Sequence, residues 1–110
     1  MAIVNQQLTT TQLDMITVPA SKSYAVTNIM VCNNGSTPAS FDMHFVPQSS
    51  SLSNAVTRVI NTLELPVGET FTFDSERVVL EVGDKLSFVA EPDAGAGLTG
   101  LSATVSYLEV

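Results

Sequence analysis

The chain has 110 residues, 45% of them hydrophobic and only 14% charged, with a formal net charge of −7. That length allows one domain with a single core and leaves no room for a separate cofactor-binding half. Eleven acids against Lys22, Arg58, Arg77 and Lys85 exclude the basic footprint that nucleic acid or an anionic membrane selects, and a lone Cys32 excludes an intrachain disulfide framework.

Met1–Gln12 is polar after Val4 and lacks the basic flank and apolar run of a signal peptide. It is expected as an N-terminal arm laid on a neighbour, or as a first edge segment, ahead of a domain spanning residues 13–110. No segment approaches the roughly 20 apolar residues that span a bilayer, so a product made in a cytoplasm is expected. A first strand is predicted at about Leu13–Val18, followed by a turn at Pro19-Ala-Ser-Lys22. Tyr24–Cys32 is apolar on both faces and reads as a central strand or one covered by a partner. Asn33-Asn-Gly-Ser-Thr-Pro38 supplies an Asn-Gly turn.

In Ser40–Val46, Phe41, Met43 and Phe45 alternate with Ser40, Asp42 and His44, the period-two signature of a half-buried strand. Pro47–Asn54 is a Ser-rich loop, and the β-branched residues of Ala55–Leu65 favour a strand over a helix. Alternation returns in Thr70–Asp74, in Leu86/Phe88/Ala90 and in Leu101/Ala103/Val105/Tyr107. Pro66-Val-Gly-Glu69 and Glu81-Val-Gly-Asp84 each put Gly where φ > 0 costs little, and read as corners between sheets. Pro92–Gly100 reads as a flexible loop. The expected fold is an all-β, single-domain antiparallel β-sandwich of about seven or eight strands, jelly-roll or Ig-like.

Few residues carry chemistry. His44, the single imidazole, lies two residues from Asp42 on the polar face of its strand, but zinc needs three or four ligands, and the plainer reading is a surface histidine. Cys32 sits in the most apolar strand, where a thiol behaves as a small hydrophobe. Gly95-Ala-Gly-Leu-Thr-Gly100 matches the dinucleotide fingerprint letter for letter. A strand rather than a helix follows it, so it reads as a hairpin loop. Asn34-Gly-Ser36 has the form of a glycosylation acceptor, and the simpler reading is the turn. Asp74, Glu76, Glu81, Asp84, Glu91 and Asp93 would serve Ca²⁺ only if their loops converge, and their spacing matches no EF-hand. No Trp is present to line a sugar trough. No catalytic, cofactor-binding or metal residues are assigned, and no enzyme activity or cofactor is expected.

The stretches Val4–Thr11, Val18–Asn33, Phe45-Val-Pro47, Pro66–Phe71, Val79–Leu86 and Ala103–Glu109 give the chain a resemblance over nearly its full length. It resembles the small β-sandwich virion proteins of tailed bacteriophages, including phages of cyanobacteria. These are turn and strand signatures without catalytic content. The resemblance implies a non-enzymatic accessory subunit of the virion: a capsid decoration or cement protein, or a neck, tail or fibre component. Such a protein binds other coat, neck or tail subunits and copies of itself, with no nucleic-acid or membrane partner. Met1–Gln12 and one face of Tyr24–Cys32 are the expected contacts. The alternative is a receptor- or carbohydrate-binding module of a tail fibre, using the loops Gln48–Asn54 and Pro92–Gly100.

Overall fold

Alternating side chains, broken by Pro, Gly and Ser-rich turns, resolve into nine strands and no helix among the described residues. They are β1 (Ala2–Thr9), β2 (Leu13–Thr17), β3 (Tyr24–Asn33), β4 (Ala39–Val46), β5 (Arg58–Leu65), β6 (Thr70–Phe73), β7 (Val78–Leu80), β8 (Lys85–Glu91) and β9 (Leu98–Glu109). The computed structural model describes residues 2–53, 55–73, 78–91 and 98–110, the side chains of 98 and 99 apart.

Two antiparallel sheets face each other. Sheet A has the order β1-β9-β3-β6, with β7 also pairing β3, and sheet B has the order β2-β8-β4-β5. β6 pairs the Ile29–Cys32 half of β3 and β7 pairs the Tyr24–Val26 half, so the two short strands are halves of one edge. Counted that way, the order is that of an eight-stranded jelly roll and not the immunoglobulin order. The chain therefore exceeds the expected seven or eight strands because one edge is split.

β3 is central, as its two apolar faces suggested. Ala2–Thr9, read as an arm or an edge segment, runs along β9 as the edge strand β1. The two Gly turns are corners between sheets: Pro66–Glu69 joins β5 to β6 and Glu81–Asp84 joins β7 to β8. Gly68 and Gly83 have φ of 82° and 84°, and each turn closes with a hydrogen bond from its fourth N–H to its first C=O. The Asn-Gly turn expected at Asn34-Gly35 does not take the primed form, since neither residue has the positive φ that a primed turn requires. The segment instead crosses from β3 in sheet A to β4 in sheet B.

The inner faces supply the core. Ile29, Val31, Ala103 and Val105 of sheet A meet Phe41, Met43, Leu86 and Phe88 of sheet B, all essentially inaccessible to solvent. Phe41 bridges the sheets, its ring 6.1 Å from Phe88 and 5.8 Å from Phe71. Packed aromatic pairs of this kind stabilise beyond their buried area by about 1 kcal/mol each.

Candidate functional site

β2, β8, β4 and β5 bring Asp14, Ser87, His44 and Arg58 into one lateral row on the outer face of sheet B. The alternation puts His44 on the polar face, but it is fully buried, not exposed. The connection after β4 folds back over this face and lays Thr57 on the ring, with Oγ1 2.9 Å from Nδ1. Thr57 Oγ1 donates its one proton to the carbonyl of Ser53 and accepts from the Ser53 N–H. The hydroxyl therefore accepts from His44, which fixes the proton on Nδ1 and leaves Nε2 as a bare acceptor. Nε2 is buried without a hydrogen-bond partner.

Burial holds the His44 imidazole below its ordinary value, Arg58 adds to that effect and Asp42 opposes it. Burial alone would raise the Asp14 carboxyl, but hydrogen bonds from Ser87 and Gln12 and the Lys85 ammonium outweigh it and hold the group below its ordinary value. Although Ser, His and Asp share this row, they are not joined as a nucleophile requires. The Ser87 hydroxyl donates to Asp14 at 2.7 Å, and His44 is spent on Thr57. In this arrangement the proton of Ser87 is held by the Asp14 carboxylate and not by the imidazole, whose Nε2 is buried.

The remaining candidates are dispersed. Cys32 lies half-buried on the outer face of sheet A, its Sγ 3.4 Å from Asn34 Oδ1. Asp84 Oδ1 accepts the Gln48 N–H and Oδ2 the Glu81 N–H, so this carboxylate ties two loops together. Glu91 lies at the opposite end of β8. Asp74, Glu76 and Asp93 lie outside the described residues, as do Gly95 to Gly97 of the glycine-rich motif, whose last three residues begin β9. Among the described residues no three His, Cys, Asp or Glu side chains gather at metal-binding distance. A shallow cavity of about 200 Å³ opens between β4 and β7, lined by Phe45, Val46, Val78, Leu80 and Asp84. It is smaller than the roughly 300 Å³ at which small-molecule sites begin.

Sequence reasoning missed two structural residues. Asn33, 1% exposed, donates through Nδ2 to the carbonyls of Thr37 and Leu65 and accepts the Gly35 N–H on Oδ1. Its own backbone exchanges bonds with Gly68 and Glu69, so one residue fastens three segments at one end of the sandwich. Asp84 does the same at the other end. The signal was a polar residue flanking a glycine turn, but the partners that tie it to other segments, Leu65 for Asn33 and Gln48 for Asp84, lie more than thirty residues away.

Among the described residues the charge lies on one outer face and not the other. The outward-phase rows of sheet A run Asn5-Thr104-Met30-Thr72, Gln7-Ser102-Cys32-Thr70, Ile3-Ser106-Asn28 and Leu108-Ala25-Val79. None of these residues is charged. The outer face of sheet B carries Asp14, Lys85, Asp42, Arg58, Glu64 and Glu91.

Comparison of the chain with protein families, curated proteins and solved structures finds no match. The fold thus defines the class, a single-domain antiparallel β-sandwich.

Proposed function

We propose that this chain is a non-enzymatic structural subunit of a bacteriophage virion, binding coat, neck or tail proteins through the outer face of sheet A and so stabilising or decorating the particle. The supporting observation is the uncharged, hydroxyl-rich character of that face among the described residues, in a chain of net charge −7. Contact through Ser, Thr, Asn and Gln keeps its strength across ionic conditions that screen charge pairs. The molecule measures 41 × 27 × 23 Å, so a broad face presents several hundred Å² of surface, on the scale of one side of a standard protein interface. β1 and the outer side of β3, expected as contacts from the sequence, lie together on it. The carbohydrate-binding alternative rests on Gln48–Asn54 and Pro92–Gly100, of which Asn54 and Pro92 to Gly97 lie outside the described residues.

The test is incorporation. Virions are purified from infected cells that express tagged wild type, Met30→Lys/Thr104→Lys on the outer face of sheet A, or Glu64→Lys/Glu91→Lys on that of sheet B. The reading expects wild type and the sheet B variant in particles and the sheet A variant, folded by circular dichroism, absent from them. Wild type missing from virions overturns the reading, and incorporation of the sheet A variant overturns the face.

A further inference from the structure

The sandwich has four sheet edges, and three of them are guarded. β2 is five residues long, carries Asp14 and shifts register between Asp14 and Ile16. β5 carries Arg58 and Glu64, shifts register twice against β4 and has Thr62 at φ 51°. The β6/β7 edge is split into strands of four and three residues. Charge, bulges and shortness are the devices by which sheet edges avoid pairing with other chains. β1 has none of them over Ala2–Gln6. This stretch keeps unbroken register with β9, from Ala2 opposite Tyr107 to Gln6 opposite Ala103, and contains no charge, Pro or Gly. Ile3 on it is 66% exposed.

We infer that β1 pairs antiparallel with β1 of a second copy of this chain about a two-fold axis near Val4, joining two four-strand sheets into one. The occupant follows from charge and symmetry. A chain of net −7 repels its own copies wherever acids meet, and Ala2–Gln6 presents none. About Val4, Ile3 of one copy faces Asn5 of the other and Ala2 faces Gln6, so an isologous pairing sets no like charges opposite. The joined sheet doubles the uncharged face, and the inference deepens the proposed function only in that respect. Five paired residues form a small interface, so the dimer is weak and reversible.

The experiment is sedimentation equilibrium of the purified chain, with amide hydrogen exchange of Ala2–Gln6 as a function of concentration. Wild type is expected to dimerise, and its outward-facing β1 amides to slow as concentration rises. Ile3→Lys/Asn5→Lys sets two lysines directly opposite each other on the rungs either side of the axis and is expected to be monomeric with unchanged circular dichroism and thermal midpoint. Wild type that stays monomeric up to about 1 mM overturns the pairing, as does self-association that survives the lysine pair or leaves the β1 amides unprotected. The result is separable from incorporation: a monomer found in virions keeps the proposed function and loses the pairing, and a dimer absent from virions does the reverse.

Discussion

Gly35 and Gly100 approach so closely that a Cβ built on Gly100 would lie 2.7 Å from the Cα of Gly35, and Asn34 donates across the gap to the Gly100 carbonyl at 2.8 Å. The β3–β4 crossing and the start of β9 are therefore in backbone contact. Gly100→Ala is expected to cost about 2–3 kcal/mol, since neither backbone can part without breaking that hydrogen bond. Gly68→Ala, whose cost comes from its φ of 82° with nothing within 4 Å of the new methyl, is expected to cost about 1 kcal/mol. Urea unfolding checks the order, and a Gly68 variant that proves the less stable refutes it.

Asn33 is expected to be among the most sensitive polar positions. Asn33→Ala leaves the Leu65 and Thr37 carbonyls and the Gly35 N–H without their side-chain partner, at about 1–3 kcal/mol for each group that stays dry. Against a typical stability of about 5–15 kcal/mol, that loss is large. Asn33→Asp is expected to be worse, because oxygen then faces two carbonyl oxygens. Thermal midpoints of the two variants decide it: an aspartate variant as stable as the alanine one removes the argument.

Thr62 is β-branched yet left-handed, held there by Asp42, which accepts its N–H and faces Arg58 at 3.5 Å, while its hydroxyl donates to Asn61 Oδ1 at 2.9 Å. Thr62→Gly relieves the backbone and keeps the N–H bond, so it is expected to be neutral or stabilising by up to about 1 kcal/mol. Asp42→Asn weakens the hold and leaves Arg58 unpaired, and is expected to destabilise. Chemical denaturation of both variants tests the opposite signs.

His44 sets a pH dependence. Its folded-state value lies below that of the unfolded chain, about 6.5, so between the two the unfolded state binds more protons. Stability is then complete above about pH 6.5 and falls as acid is added through the folded value. Asp14, also lowered from its ordinary value, adds a loss confined to the more acidic range below 3.8. Calorimetry between about pH 5 and 7 is expected to show a slope in thermal midpoint that His44→Gln abolishes. An equal slope in the variant assigns it elsewhere.

What the sequence made legible was local. Phe41/Met43/Phe45 and Leu101/Ala103/Val105 announce strands and inward faces through alternation alone, and Gly68 and Gly83 announce corners through the backbone they permit. Period two reports which side a residue takes, not what lies over that side. Hence alternation gives His44 its face and misses its burial, because its cover, Thr57, belongs to the connection after β4. Val78–Leu80 is too short to alternate. The lack of charge among the described residues of the outer face of sheet A emerges only once β1, β9, β3 and β6 are set side by side, since no one of those strands reveals its neighbours.

Because β9, the strand latest in the chain, lies between β1 and β3, sheet A has a vacant centre until Leu98–Glu109 arrives. During synthesis β3 can already pair β6 and β7, and sheet B can form, but β1 has no strand to pair until β9 appears, so closure of sheet A waits for β9. Any shortened product that ends before β9 emerges with its apolar interior open, a substrate for proteases and not a half-built subunit.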